Sequence, residues 1–81
     1  MKIRYFAWIK DITHKDYDLI ENNYPKNINE IKLFLNKSYP GLKKHIKEDI
    51  LRFAINMEYS PTNQKLDSKD EIAVFPPVSG G

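Results

Sequence analysis

Cysteine is absent from all 81 residues, which excludes disulfides, thiolate nucleophiles and zinc–thiolate centres. Any sulfur chemistry here must use a group other than a thiol. No apolar run approaches the roughly 18 residues of a membrane span. Met1-Lys2-Ile3-Arg4 runs into an alternating strand pattern where a secretory leader would need an apolar stretch. Together these absences give the expectation of a cytoplasmic protein. Net charge is small as well: 13 basic against 11 acidic residues leave +2, too little to imply nucleic acid. Glycine is scarce, yet two of the three glycines are the last two residues, Gly80 and Gly81.

What is present describes one small folded domain. Hydrophobic residues make up 41% and aromatics 12% of the chain, a composition of globular rather than disordered proteins. A domain of this size buries only about 60% of the surface its unfolded chain exposes, so there is room for one thin core. Residues 2–10 alternate as a strand, with Ile3, Tyr5, Ala7 and Ile9 on the core face. The opposite face carries Lys2, Arg4, Phe6, Trp8 and Lys10. Aromatics among cations on the side a half-buried sheet gives to water suggest a surface covered by a partner.

Residues 11–15 read as a connection with a short helical turn, and 17–21 as a second strand forming a hairpin with the first. Asn27 can cap a helix, with Glu30 in capping-box relation and Ile28, Ile31, Leu35 and Tyr39 at helical spacing. That helix should run to Ser38, where Pro40-Gly41 stops it. A further helical turn in 42–49, a strand over 50–56, a short strand near Glu58-Tyr59 and a final strand over 72–75 complete the order. With one main helix covering a mixed sheet, the first and last strands must lie side by side at its centre, and a hairpin followed by a crossover helix satisfies the right-handed connection rule. The predicted class is α+β, a β-grasp (ubiquitin-like) domain over 1–75 with a flexible tail over 76–81.

The tail is Pro76-Pro77-Val78-Ser79-Gly80-Gly81. Two prolines cannot continue a ladder and favour an extended path; at about 3.1 Å per residue the tail spans roughly 19 Å, about the depth of an enzyme pocket. Side-chain-free residues pass a narrow channel. They deliver the α-carboxylate of Gly81, which is inert until activated as an acyl adenylate. The domain itself shows no internal active site: His14 and His45 lack ligand spacing, Asp67, Asp70 and Glu71 read as turn and strand-edge residues, and no metal site is expected. Lys43, Lys44, His45 and Lys47 form a local basic cluster, read as a solvated face or, failing that, a site for an acidic partner.

The run Asp70-Glu71-Ile72-Ala73-Val74-Phe75-Pro76-Pro77-Val78-Ser79-Gly80-Gly81 resembles the C-terminal signature of the MoaD/ThiS family of ubiquitin-like sulfur carriers, and most closely its MoaD branch. Arg4-Tyr5-Phe6-Ala7, the capped segment Asn27 to Pro40, and Ala54-Ile55-Asn56-Met57-Glu58-Tyr59 extend the likeness over essentially the whole chain. Ser68-Lys69-Asp70 departs from the family's Asp-Gly-Asp before the last strand, which implies another turn type there. The resemblance implies the sulfur-carrier subunit of molybdopterin synthase, non-catalytic alone and binding no cofactor. A MoeB-like adenylyltransferase would spend ATP to adenylate Gly81, and a sulfur donor system would leave a C-terminal thiocarboxylate. A MoaE-like large subunit would admit the tail, so that sulfur passes to cyclic pyranopterin monophosphate within a heterotetramer. Neither nucleic acid nor membrane is an expected partner. A carrier for thiamin or tRNA thiolation, or a protein modifier, is the alternative. Near the tail's exit, Phe6, Trp8 and Phe75 are the expected partner-binding residues.

Overall fold

The computed structural model describes residues 1–60 and 62–77. Residues Val78, Ser79, Gly80 and Gly81 of the proposed tail lie outside the described residues. Along the chain run β1 (Lys2–Tyr5), α1 (Trp8–Thr13), β2 (Tyr17–Leu19), α2 (Ile28–Ser38), a 3₁₀ turn (Pro40–Leu42), α3 (Lys43–Lys47), β3 (Arg52–Ile55), β4 (Glu58–Tyr59) and β5 (Glu71–Phe75).

The first strand is shorter than its alternation suggests. Ala7 sits at φ 53°, ψ −136°, and the Ile9 N–H donates to Phe6 O at 3.2 Å, a type II′ turn with alanine where glycine is usual. The chain then enters α1, which closes at His14 in the left-handed region, its N–H donating to Lys10 O. Phe6 and Trp8 therefore do not share a strand face, as the alternation predicted: Phe6 lies in the turn and Trp8 opens a helix. Ile9 is buried all the same, because Ile9 and Thr13, four residues apart, make the inner stripe of α1. Over so few residues, a strand and a turn-plus-helix bury the same positions.

Helix α2 follows its sequence signals. The Asn27 side chain accepts from Glu30 N at 2.9 Å, and the Glu30 carboxylate accepts in turn from Lys26 N at 3.0 Å, one residue earlier than a standard capping box. Ile28, Ile31 and Leu35 face the core. The helix ends at Ser38 because Pro40 has no N–H to give, and Pro40 instead starts the 3₁₀ turn. Gly41 has a packing reason: a Cβ there would stand 2.9 Å from Ile12 Cγ2, so glycine lets the 3₁₀ turn bear directly on α1.

The sheet order is β2-β1-β5-β3-β4. β1 and β5 are parallel, with Ile3 opposite Ile72 and Tyr5 opposite Val74, and every other pair is antiparallel. The first and last strands thus share the sheet with β5 at its centre, the expected β-grasp arrangement. The inner face packs Ile3, Tyr5, Ile72, Val74, Phe53 and Ile55 against Ile9, Ile31, Leu35 and Leu42. Asn56 (φ 50°) and Met57 (φ 71°) form the β3–β4 turn, the double left-handed geometry of a type I′ hairpin. At 67–70, no residue adopts positive φ. The Asp67 carboxylate accepts from Ser68 N, and the Asp70 carboxylate from Asp67 N. Side-chain acceptors thus replace the glycine that a left-handed turn would need, and Lys69 is unstrained.

Candidate functional site: the outer sheet face and the tail exit

Register fixes which side chains share the outer face of the sheet. Arg4 stands opposite Tyr17 on one side and Ala73 on the other; Ala73 faces Ala54, and Ala54 faces Tyr59. One row further along, Phe75 stands opposite Arg52. Alternation on a strand sends these residues away from the core. Two small side chains, Ala54 and Ala73, thus make a shallow floor between Tyr17 and Arg4 on one flank and Tyr59 on the other. The rings of Tyr59 and Phe75 lie 6.5 Å apart at 60°, within the range of aromatic pairing. Arg4 Nε is 3.0 Å from Glu71 Oε1, an exposed pair of small energetic weight.

Phe6 reaches the same end of the sheet by a backbone bond, its N–H donating to Val74 O at 3.1 Å. It is 43% exposed, Trp8 36% and Tyr59 58%. An open cavity of about 360 Å³ lies between β1, β2 and α1, lined by Arg4, Phe6, Ala7, Lys10 and Tyr17 among others. β5 ends at Phe75, after which Pro76 is half-buried and Pro77 exposed. The chain therefore leaves the central strand between aromatic groups that the domain does not cover. Trp8 stands on the α1 side of this end, its ring 4.7 Å from that of His45.

Behind the sheet a polar knot fixes the frame. Asp18, on the inner side of β2, accepts from Tyr5 Oη at 2.7 Å and Tyr39 Oη at 2.5 Å, and Lys15 Nζ donates to its other oxygen at 3.1 Å. Partial burial pushes the Asp18 carboxyl up, but the hydrogen bonds from Tyr39, Tyr5 and Lys15 outweigh it and hold it below the usual carboxylate range. Burial first, then the bond to Asp18, pushes both the Tyr5 and the Tyr39 phenol up. This knot ties β1 and β2 to the C-terminal end of α2.

Of the predicted site residues, Phe6 is bonded to β5 one residue before Phe75, and Trp8 lies on the adjoining helix, by a different backbone route from the expected one. Tyr59 and Arg52 were missed. Their only sequence signal is the strand register, which depends on pairings between distant segments. Asn56, within the family-like segment 54–59, braces the sheet. Its amide accepts from Glu71 N at 3.0 Å and donates to Asp70 Oδ1 at 2.9 Å, fastening the hairpin to the start of β5. His14 caps α1. Among the described residues, no cluster of three His, Cys, Asp or Glu side chains could hold a metal ion.

The ThiS family profile covers residues 3–81. The chain belongs to the ThiS family. It is 37% identical to a molybdopterin synthase sulfur carrier subunit of Dictyostelium discoideum, over 99% of this chain and 94% of that protein. Among solved structures, it superposes on small archaeal modifier protein 1 of Methanosarcina acetivorans with TM-score 0.78 at 25% identity, covering 99% of this chain and 94% of that one. It also superposes on a chain of the complex of subunits 1 and 2 of molybdopterin-converting factor from Helicobacter pylori, with TM-score 0.69, 27% identity and coverages of 99% and 96%.

Proposed function

We infer that this chain is the sulfur-carrier subunit of a molybdopterin synthase. The observation that carries the inference is its full-length likeness to a relative so named, on a fold whose central strand hands the chain to Pro76-Pro77 beside exposed aromatics. The chemistry follows from a carboxylate with no thiol nearby. The Gly81 carboxylate attacks the α-phosphorus of ATP on an activating enzyme, releasing pyrophosphate and leaving an acyl adenylate. Sulfide-level sulfur from the donor system then attacks the acyl carbon, expelling AMP and leaving a thiocarboxylate.

The stiff Pro76-Pro77 segment, followed by Val78, Ser79, Gly80 and Gly81, carries that sulfur into a pocket of the large subunit. Tethering raises the sulfur's effective concentration at the acceptor and keeps it from diffusing away. Phe6, Trp8 and Phe75, with Tyr59 added, form the docking face for the large subunit, whose side chains would supply the acid, base and phosphate-binding groups. Two carriers and two large subunits would make the assembly, acting in the cytoplasm where ATP is available. No helix among the described residues is long and apolar enough to cross a membrane.

Intact-mass measurement on protein from sulfur-replete cells tests the inference: oxygen-to-sulfur exchange adds about 16 Da, and fragmentation must place the change on Gly81 because oxidation of Met1 or Met57 adds nearly the same mass. An unmodified Gly81 in cells making molybdopterin would overturn it. The likeness to a small archaeal modifier favours a second reading, a protein modifier. That reading would instead appear, after tryptic digestion, as a remnant of residues 70–81 on lysines of other proteins, since Lys69 is the last basic residue of the chain.

A further inference from the structure

We propose that the α1–α3 shoulder, made by Trp8, His45, Lys43, Lys44 and Lys47, is a second docking patch that takes an acidic segment of the large subunit; this rests on the sulfur-carrier function above. The sequence alone offers these lysines as a solvated face or as a site for an acidic partner. The structure gives them a place, because the tilted contact of the Trp8 and His45 rings at 4.7 Å joins α3 to the end of the molecule where β5 releases the tail. Phe6 bonds to Val74 on β5, Trp8 lies two residues further on at the start of α1, and its ring meets that of His45 on α3.

The shoulder is also rigid. The 3₁₀ turn before α3 bears on Ile12 of α1 at Gly41, where no Cβ fits, and Leu42 is wholly buried. On this firm base Glu48 stands four residues after Lys44, but the cations of the helix crowd one another. Lys43 and Lys47 are four apart and Lys44 and Lys47 three apart on one short helix, the spacing at which like charges repel. The first turn of α3 holds no acidic residue. Among the described residues, four cations form ion pairs, Arg4, Lys10, Lys15 and Lys32, and none of them is on α3. His45 Nδ1 is shut off from solvent without a hydrogen-bond partner. An acidic segment laid across this shoulder would relieve the lysine repulsion.

Area points the same way. A stable interface covers roughly 800 Å² on each partner, and a wholly covered aromatic side chain supplies about 150–250 Å². Phe6, Trp8 and Tyr59 expose 43%, 36% and 58% of their surface, and Phe75 is half-buried, so the rings of the docking face give about half at most of what is required. Surface beyond them must be used, and the shoulder adjoins Trp8. The occupant should carry carboxylates beside an aliphatic edge that meets the indole.

The test is calorimetric titration of the carrier with the large subunit from the same source, at about 0.05 M and about 1 M salt. Replacing Lys43, Lys44 and Lys47 together by Ser should weaken binding about tenfold at low salt and less than twofold at high salt, where screening removes the contribution. The triple Lys→Arg variant, which keeps the charge, should stay within about twofold throughout. Thermal melts of the Ser variant should be unchanged or higher, since repulsion is removed. Equal affinity of the Ser variant and the parent at low salt overturns the shoulder while leaving the carrier function standing; failure of the parent chain to bind at all overturns both. Loss confined to the activating enzyme, or to a fluorescent single-stranded oligonucleotide, also overturns it.

Discussion

The two faces of one sheet are built from the same five strands to opposite ends. The inner face is closed: Ile3, Ile72 and Val74 have no exposed surface and meet Ile31 and Leu35 of α2, and the polar group it does contain, Asp18, is satisfied by two phenols and an ammonium. The outer face is open, with alanines at its centre and Tyr17, Tyr59, Phe6 and Phe75 around them. These aromatics stay partly exposed, which is why we propose them as a face for a partner. Changes on the inner face should therefore register as lost stability, and changes on the outer face as lost assembly with the fold intact.

The sharpest division comes from deleting Gly81. Product formation should fall to background, because the reacting carboxylate is displaced by one residue, while the melting temperature stays unchanged. A truncated protein that still supports molybdopterin formation would refute the carrier chemistry. On the inner face, Leu35→Ala should cost about 2–5 kcal/mol in denaturant unfolding, enough to unfold much of a small domain's population; a loss under about 1 kcal/mol would mean that the helix–sheet contact is not the core. On the outer face, Phe75→Ala should reduce affinity for the large subunit by more than about tenfold with unfolding unchanged, and an unaltered titration would break the comparison.

A smaller effect belongs to Asp18. Its carboxyl is held below the ordinary range, so the stability it contributes is present above the unfolded carboxylate pKa, near about 3.9, and is lost as pH falls through the lower folded value. Tyr5 and Tyr39 are raised, so their contribution holds below about pH 10 and is lost as the unfolded phenols ionise above it. Unfolding free energy against pH should show a plateau between these limits. Asp18→Asn should flatten the acid side and lower the plateau by about 2 kcal/mol.

Smallest is Ala7→Gly, which removes a Cβ from φ 53°, ψ −136° and should raise stability by about 0.5 kcal/mol once glycine's entropy is set against the strain. Because the turn holds Phe6 and Trp8 apart, the same change should slightly weaken docking. Opposite signs for stability and affinity would sharpen the contrast between the two faces.

Local signals were legible where they are local in cause. Asn27 and Glu30 announced α2, Pro40 its end, and Phe75-Pro76-Pro77 the exit of the chain, because capping and the absence of a proline N–H act within a few residues. The strand alternation through residues 2–10 misled because a II′ turn at a residue other than glycine leaves no mark in composition, and Ile9 is buried by either path. Tyr59 and Arg52 could not be found at all, since their position depends on β3 pairing with both β4 and β5.

The amino-acid order by itself determined the α+β class, the capped helix, the absence of thiol chemistry and the family to which the chain belongs, because each rests on nearest neighbours or on composition. Only the tertiary structure decided that Phe6 is bonded to β5 one residue before Phe75, that Asp18 is held by two tyrosines 13 and 21 residues away, and that the Trp8 ring meets that of His45 on α3. The physical reason is that pairing register and ring contacts between distant segments are fixed by the packing of the whole core, which no window of sequence contains.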